Sequence, residues 1–204
     1  MRAAWIGPRA ALAAAVGLLM LVPGYSPGAE GPSWRLGGAD VRIVVPVKPG
    51  GAFEAKTASL SGTLTLGTSK PVLLKGEISV DLATIDTGIG LRNQHLREKY
   101  LEISRGRGFD RAVLSEIRLD QAEGEDFQGR TGFAARLLLH GVSRDVAGTG
   151  EIRREGSETR VDASFPLTLT DFGIEPPQYM GVGVSNKVSV KVSFAARLAG
   201  AGRP

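Results

Sequence analysis

Seven runs in this chain alternate apolar with other side chains, and turn-forming residues separate them. Ile43, Val45 and Val47 alternate before Pro49, Gly50 and Gly51. Leu60, Gly62, Leu64 and Leu66 alternate before Gly67, Ser69 and Pro71. Ile78, Val80 and Leu82 form the third run, and Val113, Ser115, Ile117 and Leu119 the fourth. Phe133, Ala135, Leu137 and Leu139 form the fifth, stopped by Gly141. Val161, Ala163, Phe165, Leu167 and Leu169 make the sixth, and Val188, Val190, Val192 and Phe194 the seventh. A weaker eighth candidate spans 146–154. Period two puts the apolar members of a run on one face of a β-strand, so each strand has one face to bury. Short connections pair successive strands antiparallel. Eight such strands close most simply into one barrel, or stack as a sandwich, and closure removes exposed edges. The expected fold is therefore all-β, an eight-stranded antiparallel barrel.

Residues 89–103 lose period two. Leu96, Tyr100 and Ile103 stand at i, i+4 and i+7, the stripe of an amphipathic helix. The pattern predicts one short helix in the long connection between strands near 76–83 and 112–120, with Asn93 as its N-cap. An apolar stripe beside a barrel has to cover something apolar, at its mouth or its flank. No long Pro/Ser/Gly linker splits the chain, so the barrel is one domain.

Composition excludes several chemistries. With no cysteine there is no disulfide framework, thiolate zinc site, iron–sulfur cluster or cysteine nucleophile. His95 and His140 lie far apart without a companion ligand motif. The N-terminal 1–29 reads as a signal peptide. Arg2 and Arg9 precede the apolar stretch Ala10–Val22, and small or breaking residues run to Ala29. The apolar stretch is shorter than a membrane span requires. Cleavage after Ala29 leaves residues 30–204, where 23 basic residues face 21 acidic ones, a net +2. That modest charge and an aromatic content of 6% argue against nucleic acid as a partner.

Catalytic motifs are missing. Gly183-Val184-Ser185-Asn186-Lys187 fails the G-x-S-x-G pattern at its last position, and Gly88-Ile89-Gly90 and Gly106-Arg107-Gly108 lack a third glycine. No P-loop is present. A serine–histidine–aspartate set assembled by folding needs no local motif. Asp81 and Asp86 could pair as carboxylates, but turn or outward positions suit them better. His140 before Gly141 reads as a strand end. Small residues such as Gly62, Ala135 and Ala163 would leave volume inside a barrel. Pattern alone leaves a ligand cavity and a filled core equally open.

An ordered set of segments resembles a known family. It begins with Gly76-Glu-Ile-Ser-Val-Asp-Leu-Ala-Thr-Ile-Asp-Thr-Gly88 and Arg92-Asn-Gln-His-Leu-Arg97, followed by Tyr100-Leu101. It continues through Val113-Leu-Ser115, Leu137-Leu-Leu-His-Gly-Val-Ser-Arg144 and Asp171-Phe-Gly-Ile174. It closes with Val184-Ser-Asn-Lys-Val-Ser-Val-Lys-Val192. Over about residues 76–196 these segments resemble the YceI-like family of polyisoprenoid-binding proteins. The resemblance implies a lipocalin-like barrel with a helix, exported to the periplasm. It implies an isoprenoid lipid held inside, a polyprenyl phosphate or an isoprenoid quinone, with no catalysis and no cofactor. Residues 31–66 match weakly, and Pro46 and Pro49 mark an edge, a bulge or a turn there.

Strand parity then nominates a lipid-binding face of Val80, Leu82, Val113, Ile117, Leu137, Leu139, Phe165, Leu167, Val190 and Val192, with Leu96 and Tyr100 from the helix. Arg92, His95 and Arg97 are the candidates for a polar or anionic head group. The expected partners are an isoprenoid lipid or quinone and, transiently, a membrane. The competing expectation is a filled barrel acting through its surface as an adaptor or inhibitor.

Overall fold

The eight expected strands are all present and close into a barrel. The computed structural model describes residues 32–67, 71–121, 126–179 and 182–199. The expected signal peptide, residues 1–29, lies outside the described residues. The strands are β1 (Ser33–Lys48), β2 (Ala52–Thr57), β3 (Leu60–Leu66), β4 (Val72–Asp81), β5 (Arg111–Leu119) and β6 (Gly129–Leu139). They continue with β7 (Val142–Glu155), β8 (Glu158–Thr168), β9 (Gln178–Tyr179), β10 (Val182–Val184) and β11 (Lys187–Leu198). The pairing runs β11–β8–β7–β6–β5–β4–β3–β1, and β1 returns to β11 to close the ring. Every pairing is antiparallel, as short connections require.

The weakly matching N-terminal segment completes the wall. Val41 pairs with Thr57 and with Val192, and Trp34 pairs with Leu64 and with Leu198. β2 and β3 follow one another along β1 in a single register. Pro46 stays inside β1, opposite Ala52, and its carbonyl accepts from Ser185 N at 2.8 Å. Pro49 sits in the β1–β2 turn.

One end of the barrel is paired all round. At the other, two seams open. β2 has no ladder to β4, and the 3-10 turn Leu82–Thr84 and the Lys56–Asp86 bridge fill that gap. β7 pairs with β8 only from Thr149 onward, and the 3-10 turn Leu169–Phe172 packs against the freed start of β7.

The helical segment lies over this open end. It is α1 (Gly90–His95) followed by a wide π-turn, Leu96–Tyr100, in which Leu101 N reaches back to Leu96 O at 2.8 Å. Asn93 is not its N-cap. Ile89 holds that position without a side-chain bond. The Asn93 amide instead accepts from Thr87 N and Oγ1 and donates to Asp86 Oδ1, tying the Asp86–Gly88 turn to the helix.

Candidate ligand cavity

The interior changes character along the barrel axis. At the closed end Leu36, Leu64, Val72, Ile117 and Leu119 are buried and packed together. Phe133, Phe165 and Phe194 come next, the first two edge to face with centroids 6.1 Å apart. The turn of these rings depends on Gly148, where an added Cβ would fall 2.3 Å from Ser164 O and 2.9 Å from the Phe133 ring. Above the phenylalanines the strands enclose a cavity of about 840 Å³. That lies in the range of small-molecule sites, about 300–1,000 Å³.

The walls are aliphatic. β1 contributes Val41, Ile43, Val45 and Val47, and β11 contributes Val188, Val190 and Val192. β4, β5, β6 and β8 add alternate residues, as period two demands. Phe53 and Ala55 of β2, Ile85 and Leu101 also face the space. The polar lining side chains, Thr87, Arg92, His95, Lys99, Tyr100 and Gln178, come from the helical segment and its approach or from β9. No acidic residue lines the cavity among the described residues.

Ten of the twelve apolar candidates line it: Val80, Leu82, Leu96, Tyr100, Leu137, Leu139, Phe165, Leu167, Val190 and Val192. Val113 and Ile117 do not. A β-bulge explains Val113. Between Ser115 and Arg118, β5 carries an extra residue relative to β6, and Glu116 takes a φ of 51°. The bulge reverses the inward parity, so Ala112 and Leu114 face the cavity and Val113 faces out. Ile117 is inward but lies in the packed end below the cavity. Gly62 adds no volume either. It sits where β3 touches β4, and a Cβ there would meet Glu77 O at 2.2 Å.

Of the head-group candidates, Arg92 and His95 stand on the rim. The Arg92 guanidinium lies 4.1 Å from the centroid of Phe53, bridging the helix to the β1–β2 hairpin. Arg97 does not line the cavity. It donates to Ile85 O at 3.2 Å, anchoring the helix to the barrel. Lys99 takes its place on the rim. It stands seven residues after Arg92 and four after His95, on the same helical face, and that spacing is the sequence signal that marks it.

The other titratable groups are built into turns. Asp81 accepts from Ala83 N and caps the 3-10 turn, so it forms no pair with Asp86. The Asn93 and Gly88 donors hold the Asp86 carboxyl below its ordinary value. His140 is 10% exposed and faces Phe172 O and Glu102 Oε2, each 3.0 Å away, so both its ring nitrogens are occupied. With Gly141 it forms a two-residue hairpin turn with positive φ at both positions. Glu102 is held below its ordinary value first by Arg105, then also by His140. Asn186 exchanges side-chain bonds with Thr170, joining the start of β11 to the turn after β8. Among the described residues, no three potential ligand side chains converge on a metal-sized site.

The model of the YceI-like domain matches residues 38–196. The chain belongs to the YceI-like family. No curated protein matches it. Three solved structures share the fold. BcnA from Burkholderia cenocepacia is 14% identical, with a TM-score of 0.60 over 77% of this chain and 95% of that one. A polyisoprenoid binding domain from Saccharophagus degradans, implicated in plant cell wall breakdown, is 15% identical, with a TM-score of 0.61 over 82% and 99%. A YceI protein from Campylobacter jejuni is 14% identical, with a TM-score of 0.51 over 71% and 84%. Several motif residues that carry the resemblance to the YceI-like family, Asp86, Asn93, His140 and Asn186, serve to knit the loops around the open end.

Proposed function

We propose that this YceI-like protein is an exported, non-catalytic carrier. It holds a long isoprenoid lipid, a polyprenyl phosphate or an isoprenoid quinone, in the barrel cavity. The observation that carries this reading is the partition of the cavity: aliphatic and aromatic walls, with its polar side chains gathered at the rim. Each buried methylene of a hydrocarbon chain gains about 0.8 kcal/mol, without any polar contact along the wall. A polar substrate placed there would lose its water and find no partner. The head group then lies beside Arg92, His95 and Lys99. Membership of the YceI-like family and the polyisoprenoid binding domain among its structural neighbours support the same ligand class. Export rests on the sequence of residues 1–29. The non-catalytic reading is supported by the polyisoprenoid binding domain among the structural neighbours and by a cavity lining that, among the described residues, carries no acidic side chain.

Uptake from a membrane extract tests the reading. The delipidated, folded protein should take up isoprenoids, and Val80→Arg should abolish uptake while a urea midpoint records any loss of stability. No isoprenoid uptake by the folded wild type would remove the proposal. Hydrolysis of lipid esters or phosphates above that of His95→Ala would point to an enzyme instead.

A further inference from the structure

Three large hydrophobic residues stand out as exposed among the described residues, and two of them, two positions apart at the start of the helix, line the cavity at its rim. Ile89 is 50% exposed and Leu91 63%. The third, Leu198, is 49% exposed at the far end of the barrel, where it pairs with Trp34. Isolated exposed apolar residues need no explanation. A pair on the lip of an apolar cavity does, because it extends the apolar wall into solvent.

Cations share the rim with this pair. Arg92 and Lys99 line it from the helical segment, and exposed Lys48 ends β1 next to the lining residue Val47, opposite Gly183 of β10. None of the three makes an ion pair among the described residues. Of the nearby acids, Glu54 pairs with Lys56 at 3.1 Å, whereas Glu98 and Asp86 are bonded by the neutral amides of Gln94 and Asn93 and keep their charge. Glu175 is exposed between the rim residues Ile174 and Pro177.

We propose that this rim docks on an anionic lipid bilayer, with Ile89 and Leu91 entering the headgroup boundary and Lys48, Arg92 and Lys99 facing the lipid charges. Apolar wedges flanked by basic residues bind such interfaces through buried area and charge together. A protein partner would satisfy the apolar pair equally well. The unpaired cations and the acid-free cavity lining favour the anionic surface. The inference rests on the lipid-carrying reading, because a cargo taken from a bilayer enters through this rim.

Flotation with vesicles tests it. The wild type should float with vesicles of phosphatidylcholine and phosphatidylglycerol and far less with phosphatidylcholine alone. Ile89→Ser with Leu91→Ser should weaken flotation about tenfold or more, since burying the part that each leaves exposed is worth about a three- to twentyfold factor. Leu91→Ser alone should show part of that loss. Arg92→Gln with Lys99→Gln should erase the preference for anionic vesicles. Leu198→Ser should float like the wild type. Equal flotation on both vesicles, no flotation, or flotation unmoved by the Ile89 and Leu91 changes would overturn the proposal. Extraction of the wild type separates the two readings. A loaded protein that does not float defeats docking alone. A floating protein that takes up no isoprenoid defeats the cargo alone.

Discussion

The two halves of the barrel are built from the same residues in the same alternation, yet one is packed and the other hollow. Leu64 and Leu119 at the closed end read no differently in sequence from Val80 and Val190 at the open end. The difference lies in the seams. At the closed end each strand is laddered on both sides, and the inward faces meet. At the open end β2 has no ladder to β4 and β7 leaves β8, and turns and a helix span the gaps. Alternation decides which face a strand buries. Whether opposing faces meet depends on the pairing.

Truncations should divide the halves most sharply. Leu119→Ala or Leu36→Ala should cost about 2–5 kcal/mol in urea unfolding, because each leaves a cavity in a packed region. Val190→Ala or Val80→Ala should cost about 1 kcal/mol or less, since these side chains already lack partners on one side. Equal losses would erase the distinction. Enlargements should run the opposite way. Ala135→Leu, at a site 2% exposed between Phe133 and Leu137 that does not line the cavity, should destabilise by about 1–3 kcal/mol. Ala163→Leu, on the cavity wall, should leave the unfolding midpoint close to the wild type and reduce isoprenoid uptake.

The loops over the open end give smaller effects. His140→Ala removes the bonds to Phe172 and Glu102 and should cost about 1–3 kcal/mol, with faster proteolysis within residues 89–110. Acid should loosen the same region. Asp86 and Glu102 are held below their ordinary values of 3.8 and 4.5, so their contributions are present above those values and lost as pH falls through the lowered ones. Limited proteolysis below about pH 4 should therefore cut the helical segment before the barrel, and Asp86→Asn should flatten that dependence.

Much of this fold was legible in the sequence. Period two located all eight barrel strands, and the i, i+4 stripe located the helical segment. The phase of β5 was not legible. Val113, Ser115, Ile117 and Leu119 alternate without a break, and only the ladder to β6 reveals the residue bulged at Glu116. Asn93 suits an N-cap by type, but a side chain that can also bond Thr87 and Asp86 satisfies more groups where it stands. Arg97 was chosen for its charge, yet lies two positions from His95, off the face that Lys99 shares. Pro46 and Pro49 mark an edge, a bulge or a turn by type; Pro49 sits in the β1–β2 turn, whereas β1 runs through Pro46 with its pairing to Ala52 intact.

Native mass spectrometry of the intact protein, followed by organic extraction, tests the hollow half most directly. A retained mass that extracts as a polyprenyl or quinone species is the expected result. A bare mass, together with no uptake of isoprenoid by the folded protein, would contradict it.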